Sequence, residues 1–554
     1  MSSRRREFPG RLSCRPLSAA LRHWASPIVL LAFAATPAAA VELGPLKQIT
    51  GPSPFATCTA DQVGSQPGTN YPQSEIEPWI DVNPSDPRNL IAGWQQDRWS
   101  NGGSRGDPSA YTKNGGVSWH TVIVPNTTAC TGGPFKRASD PWVSFSPNGT
   151  AYYFTLAFDP DLPNNAFGRN ALLVSRSTNG GQSWGNPTKI VDEPPGQVLH
   201  DKNSLTADPT SSRYAYAVWD RLQDFTLPTG PGPAVATSAA ESTRAASFGD
   251  GVVAARLRAQ QRGMPSAAAG VEASQEAAEI FFEGPIYFSR TTDFGQNWEE
   301  PRELYNPGGN AQTINNLIVV PPSGAVLDFF TEILPSGGTR IGLIKSTNKG
   351  ASFSRPTYPA AIATVFGIVT PDSQELVRDA SILFDVAVDR RNGNLYLAWQ
   401  DVRFNGVDEV AFSMSTDGGR NWSLPVRINK TPPNSNPLRQ QVFVPSIEVA
   451  SNGTLIVTYY DFRLDTDNGK EAADHWAIFC DSKHDDCWRP SNWGGERRLT
   501  RQSFDVLQAP QAGGYFLGDY MGLVAARNIV YPAFGIVDGV GRTSVFTRPI
   551  DVGG

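Results

Sequence analysis

Ser415-Thr416-Asp417-Gly418-Gly419-Arg420-Asn421-Trp422 follows the pattern Ser/Thr-x-Asp/Asn-x-Gly-x-x-aromatic. Four other stretches follow it: Thr112-Lys113-Asn114-Gly115-Gly116-Val117-Ser118-Trp119, Ser177-Thr178-Asn179-Gly180-Gly181-Gln182-Ser183-Trp184, Thr291-Thr292-Asp293-Phe294-Gly295-Gln296-Asn297-Trp298 and Ser346-Thr347-Asn348-Lys349-Gly350-Ala351-Ser352-Phe353. The physics is that of a hairpin turn. The Asp or Asn side chain caps backbone N–H groups, Gly takes a positive φ, and the final aromatic packs between sheets. A single octet is a weak signal. Five in register, each between two apolar strands, define a repeat.

Outward from the octets lies a second repeat of paired strands. Trp79-Ile80-Asp81-Val82 leads into Leu90-Ile91-Ala92-Gly93-Trp94, and Trp142-Val143-Ser144-Phe145 into Ala151-Tyr152-Tyr153-Phe154. Similar pairs end at Trp219, Phe330, Trp399, Tyr460 and Phe534, which makes seven, and an octet hairpin follows the first five. After the sixth comes Trp476-Ala477-Ile478-Phe479-Cys480, where a cysteine pair replaces the octet turn. The seventh ends with Thr543-Ser544-Val545-Phe546-Thr547 and lacks an outermost strand, which Leu43–Thr50 can supply to close a ring. The expectation is an all-β chain, a β-propeller of seven four-stranded blades, with six as the alternative.

Composition agrees. The 554 residues are 40% hydrophobic, 10% aromatic and only 18% charged, with 52 Gly and 45 Pro, which excludes coiled-coil, helical-bundle and wholly disordered classes. Residues 1–40 read as a secretory signal: Arg4, Arg5, Arg6, Arg11, Arg15 and Arg22, then the apolar run Pro27–Ala35, then Pro37-Ala38-Ala39-Ala40 with cleavage before Val41. Arg5-Arg6-Glu7-Phe8 also fits the core of a twin-arginine signal. Removing the segment takes the net charge from -6 to -11, which speaks against nucleic acid and anionic membranes as partners. The expected product is a secreted or periplasmic protein with no stable membrane span. It is one domain over 41–554, with an Ala/Ser/Gly-rich insertion at 222–284 in the third blade that holds a helix-like run, 252–261. Four cysteines remain in the mature chain, an even number that favours disulfides. Cys480–Cys487 is the natural local pair, which leaves Cys58–Cys130.

The octets resemble Asp boxes, also called BNR repeats, of the sialidase-like propeller family, and the resemblance covers nearly the whole mature chain. It implies that the octets are scaffold on one face and that an active site lies on the other, among the loops after the second strand of each blade and before the first. Those loops carry Asp97-Arg98, Asp159, Asp220-Arg221, Glu332, Asp401-Val402-Arg403, Asp461-Phe462-Arg463, and also Glu75, Glu77, Arg137, Asp140, His200-Asp201-Lys202, Arg378, Asp379 and Asp519-Tyr520. Arg forks bind carboxylates and paired carboxylates serve glycoside cleavage. Recurring Asp–Arg pairs also knit blades together, so the groups that break the repeat, His200-Asp201-Lys202 and Asp519-Tyr520, stand out as site candidates.

The family uses an Arg triad for the substrate carboxylate, a Tyr nucleophile assisted by Glu, and an Asp acid/base. Gly518-Asp519-Tyr520-Met521-Gly522-Leu523 is similar in place and character to the family's Tyr segment. By location, Arg98, Arg403 and Arg463 match the triad, Glu332 the assisting Glu, and Asp97 or Asp140 the acid. Arg221 and His200 are further substrate-binding candidates. Where the family has Arg-Ile-Pro in the first blade, Glu77-Pro78-Trp79-Ile80 stands here. The expected function is an exported sialidase-like glycoside hydrolase acting on terminal or acidic sugars. The alternative is a non-catalytic propeller that binds glycans or proteins. No cofactor and no metal is expected. Asp465-Thr466-Asp467-Asn468-Gly469 reads as a solvated turn whose spacing departs from the calcium-loop pattern.

Overall fold

The computed structural model describes residues 41–164, 166–225, 282–364, 367–379 and 381–553. The signal segment 1–40 and the helix-like run 252–261 lie outside the described residues. Of the segment read as an insertion, Leu222–Asp224 end a strand, and Phe282–Glu283 pair with that strand at Asp224 and Gln223.

Apolar alternation and turn-forming octets give strands throughout, and among the described residues the helices are all short 3-10 turns. The strands form seven antiparallel meanders. Their first strands are Glu75–Val82, Arg137–Phe145, Val198–Ala207, Gln312–Val319, Phe384–Val388, Val442–Val449 and Gly522–Ala526. In the first six, three more strands follow in chain order. In the seventh, Ile529–Gly539 and Arg542–Thr547 follow, Lys47–Gln48 supplies the fourth strand with Lys47 opposite Thr547, and the short strands Ile550–Asp551 and Glu42–Leu43 extend the sheet beside Ile529–Val530. Each first strand packs beside the first strand of the next meander, and that of the seventh beside that of the first. The meanders thus form a closed ring around their first strands.

The five octets share one hydrogen-bond pattern. The leading Ser or Thr hydroxyl donates to the Asp or Asn side chain at 2.8–2.9 Å and accepts from the Gly N–H at 2.9–3.1 Å. The same Asp or Asn oxygen accepts the N–H four residues on at 2.9–3.1 Å. The terminal aromatic then packs backwards in the ring: Trp298 on Tyr152, Phe353 on Phe288 and Trp422 on Phe329, each on the preceding meander. The octets therefore join neighbours as well as turning the chain. In the sixth meander the Cys480–Cys487 disulfide stands at this turn, and Cys58–Cys130 ties the N-terminal segment to the first meander.

A second regularity lies at the axis. Five first strands carry a β-bulge at the same place, each seen as a register shift. The bulged residues Glu77, Asp140, Lys202, Asn315 and Val444 all have positive φ, from 46° to 62°. Left-handed backbone costs a non-glycine residue about 1–3 kcal/mol, so the ring sustains strain at five equivalent positions. Proline follows the bulged residue in three of them, Pro78, Pro141 and Pro445, where the ladder needs no N–H.

The octet turn gives a paired prediction. Gly419 has φ +84°, and a Cβ there would stand 2.7 Å from Leu343 Cδ2, whereas at Gly418, φ +73°, the nearest atom is Lys345 Nζ at 3.6 Å. Gly418→Ala should cost only the left-handed strain, about 1–2 kcal/mol. Gly419→Ala should cost a further 1–3 kcal/mol or about that from overpacking against the fourth meander. Urea unfolding of the two variants beside the parent measures both.

Candidate functional site

Three successive meanders aim their bulged residues into one cavity of about 610 Å³, lined also by Arg98, Arg137, Asp201 and Arg378. At its base is Lys202. Its ammonium lies 2.5 Å from Asp519 Oδ2 and 3.9 Å from both Glu77 Oε1 and Asp140 Oδ1. Arg378 forks Asp519 with Nε at 2.9 Å and its second guanidinium arm at 2.6 Å. A small separate sheet sets that arginine: Leu376–Arg378 runs parallel to Tyr515–Phe516, with Arg378 opposite Phe516. The Asp519 N–H donates to Glu77 Oε1 at 3.2 Å, which joins the seventh meander to the first. Gln95 donates to the other Glu77 oxygen and accepts from Arg98 at 2.7 Å. Arg98 Nε is buried with no hydrogen-bond partner among the described residues.

The walls carry both polar and apolar groups. Arg137 stacks 4.4 Å from the Trp99 ring and donates to Gln66, Pro67, Asn101 and Gly102 at 2.7–2.9 Å, so it clamps the N-terminal segment as a wall. Leu156, Phe158, Leu162 and Phe167 add apolar lining. Trp79 and Trp142, two residues beyond the first two bulges, stack with centroids 3.5 Å apart and line a second axial cavity of about 540 Å³. The tryptophan pair thus stands between the charged cavity and the lower one.

Burial drives the protonation states. It pushes Glu77 up to about 8, against the pull of Lys202 and with repulsion from Asp519 and Asp140. It pushes Asp140 up to about 6, again against Lys202. Burial also works against charge on Asp519, but Arg378 and Lys202 outweigh it and hold that carboxyl far below the usual range. Lys202 is held well above its ordinary value, burial being outweighed by Asp519, Asp140 and Glu77. Near neutral pH the cavity therefore holds a charged Lys202–Asp519–Arg378 group, a protonated Glu77, an ionised Asp140, and Arg98 and Arg137 besides.

The residues singled out from sequence fall in different places. Asp140 and Arg98 line the cavity. Tyr520 stands edge-on to Trp79 and Trp142 at 5.9 and 5.6 Å, its hydroxyl buried without a partner among the described residues and its pKa raised by burial. Glu332 does not line the cavity; it binds Arg340 at 3.0 Å and Tyr305 at 3.2 Å. Asp97 accepts from Ser53 Oγ at 2.7 Å and the Gln73 N–H at 2.8 Å, which ties down the N-terminal segment. Arg403 is forked on Asp401 within its own loop at 2.7 Å, and Arg463 lies between Asp461 at 2.5 Å and Glu496 at 2.6 Å. Arg221 binds Gln223 at 2.9 Å beside the Tyr287 ring. His200 Nδ1 accepts from Trp219 at 2.8 Å, and burial lowers its pKa. Asp465 and Asp467 bind Arg439 at 3.0 and 2.5 Å. Lys202 and Asp519 belong to the two groups that break the repeat, whereas Glu77 and Arg378 were visible only as loop charges. The signal that selects the first is the shared triplet Glu77-Pro78-Trp79 and Asp140-Pro141-Trp142, a charge before proline at a bulge.

No protein-family model matches the sequence, and no curated protein matches it. Similar solved structures include a protein of unknown function from Dyadobacter fermentans, at 11% identity and TM-score 0.43 over 93% of this chain and 100% of that one. A Hadza microbial sialidase aligns at 13% identity and TM-score 0.40 over 83% and 75%. An α-L-arabinofuranosidase from Fusarium graminearum, in complex with an iminosugar inhibitor, aligns at 10% and 0.39 over 88% and 96%. The ring and the cavity stand on this chain's own strand pairing and side-chain geometry.

The raised Glu77 has a consequence for stability. A carboxyl whose folded pKa lies above its ordinary value stabilises the fold fully below that ordinary value, and the contribution is lost as pH rises through the folded value. The unfolding temperature of the parent should therefore fall relative to that of Glu77→Gln between pH 4.5 and about 8, the window set by this residue. Thermal unfolding of both proteins across that range checks it; parallel curves would contradict the assigned shift.

Proposed function

We propose that the chain is an exported, seven-bladed Asp-box β-propeller of sialidase-like type and a glycoside hydrolase for a terminal acidic sugar, with the axial cavity as its active site. The meanders are the blades and the octets their scaffold. The observation that carries the reading is the convergence of Glu77, Asp140 and Lys202, each on strained left-handed backbone, into one cavity with Arg98 and Arg378. Strain of that kind clusters at functional sites, and about 610 Å³ lies within the range of small-molecule sites. Export rests on the basic start, apolar run and Ala-x-Ala end of residues 1–40 and is in keeping with two disulfides. No helix among the described residues is long and apolar enough to cross a membrane.

Two carboxyls whose environments separate their pKa values are suited to divided acid and base roles. Between about 6 and about 8, Glu77 holds its proton while Asp140 does not. Glu77 is then the proton donor to the glycosidic oxygen, and Asp140 the base or nucleophile at the anomeric carbon. Lys202 positions both from between them. Arg98, with an unused buried N–H, is the group for the substrate carboxylate. In this reading Tyr520 supports the tryptophan floor and carries no chemistry, and Asp97, Glu332, Arg221, Arg403, Arg463 and His200 brace the blades.

Hydrolysis of fluorogenic sialosides, glucuronides and neutral glycosides by the mature protein tests this. The expected result is turnover of an acidic glycoside with a bell-shaped kcat/KM profile whose limbs lie near 6 and 8. Glu77→Gln and Asp140→Asn should each lower kcat by about 10²–10⁴, and Arg98→Gln should chiefly raise KM for the acidic substrate. Silence across the panel together with glycan retention would favour the non-catalytic binding propeller.

A further inference from the structure

Between the third and fourth meanders, outside the cavity lining, lies a set of buried side chains that the proposed reaction does not use. On the strand Ala215–Asp224, Tyr216, Val218 and Asp220 share one face; on Val326–Ile333, Val326, Asp328 and Phe330 share another. The two faces meet, since Tyr216, Val218, Ile318, Val326 and Phe330 form one apolar cluster. Asp220 and Asp328 therefore project into the same seam, both fully buried. Asn316 projects there from the inner strand and donates its Nδ2 to Asp220 Oδ1, which Thr313 Oγ1 also approaches at 3.5 Å.

The other atoms of these groups are without partners. Asp220 Oδ2, Asn316 Oδ1 and both Asp328 oxygens are buried with no hydrogen bond to any described residue. Every one is an acceptor. Neither carboxyl has an ion pair among the described residues; the Asn315 backbone N–H and Lys202 favour the charged form of Asp220, but that lysine is held on Asp519 at 2.5 Å. Burial pushes both carboxyls well above their ordinary values, and Asp201 and Asp328 add repulsion at Asp220. An unpartnered buried acceptor costs about 1–3 kcal/mol and a charged one more, so four in one seam call for a shared donor of positive charge.

We propose that Asp220, Asn316 and Asp328 hold a hard divalent cation of the calcium class in the seam between the third and fourth meanders. Carboxylate and amide oxygens, without sulfur or imidazole, select calcium over zinc or copper. The amide of Asn316 divides the work, its nitrogen fixing Asp220 and its oxygen completing the ligand set. The ion would brace the second strands of two adjacent meanders, and its role is structural.

The test is metal content by inductively coupled plasma mass spectrometry on the purified protein, with unfolding temperatures after refolding in calcium or in EDTA. The expected result is one bound calcium per chain and an unfolding temperature several degrees higher in calcium. Asp328→Asn should lose the ion and the response, and unfold at a lower temperature than the parent. Asp465→Asn, at the separate acidic group beside Arg439, should keep the ion. The proposal is overturned if the parent carries no metal and ignores EDTA, or if calcium persists in Asp328→Asn and leaves with Asp465→Asn. A metal-free seam also predicts the opposite sign for Asp328→Asn, because a neutral isostere of a buried, unpaired carboxyl should leave stability unchanged or raise it.

Discussion

The Lys202 ammonium lies 2.5 Å from Asp519 and 3.9 Å from Glu77 and from Asp140, in a place where all four groups are buried or nearly so. Removing a charge from water costs several kcal/mol, and a partner that lacks its counter-ion leaves that cost uncompensated. The ammonium therefore draws carboxyls from the first, second and seventh meanders to one point. Those meanders meet where the ring begins and where its last first strand returns. The bulges make the meeting possible, because an unbulged strand would direct the side chain into a neighbouring sheet. Strain at Glu77, Asp140 and Lys202, about 1–3 kcal/mol each, is offset by packing elsewhere in the ring.

The same geometry separates scaffold from site. Where an Asp and an Arg stand two residues apart in one loop, as Asp401 and Arg403 or Asp461 and Arg463 do, the fork closes locally and each charge is matched within its own meander. Where the charge sits on a bulge, its partner comes from another meander and the pair faces the axis. The octets obey a complementary rule on the far side of each sheet. The leading Ser or Thr and the Asp or Asn are consumed by the turn, while the aromatic and the glycine, and in the fourth octet Lys349, 2.8 Å from Asp208, reach the neighbour.

Much of the fold was legible because its signals are local. Each octet states its turn in eight residues, the strands alternate visibly, and the N-terminal segment 43–50 resembles the strands that follow octets. The site was less legible. His200-Asp201-Lys202 and Asp519-Tyr520 stood out as departures from the repeat, and Lys202 and Asp519 do meet. In the first group, which member faces the axis depends on bulge register, where a slip of one residue reverses the side chain; in the second it depends on the turn that precedes Gly522–Ala526. Hence Lys202 turns into the cavity while His200 is held by Trp219, and Asp519 meets Arg378 while Tyr520 supports the tryptophans. Glu332 and Asp97 could not be told from cavity residues, because their partners, Arg340 and the Ser53–Gln73 segment, are set by packing rather than by motif.

The central claim is that residues on the bulges of the first three meanders form a sugar site. A crystal structure of the protein soaked with a free acidic sugar, N-acetylneuraminate or glucuronate, tests it most directly. The account predicts the sugar in the axial cavity, its carboxylate on Arg98 and its anomeric end between Glu77 and Asp140. A sugar bound on the octet face, or a cavity in which Glu77 and Asp140 turn away from it, would contradict the account.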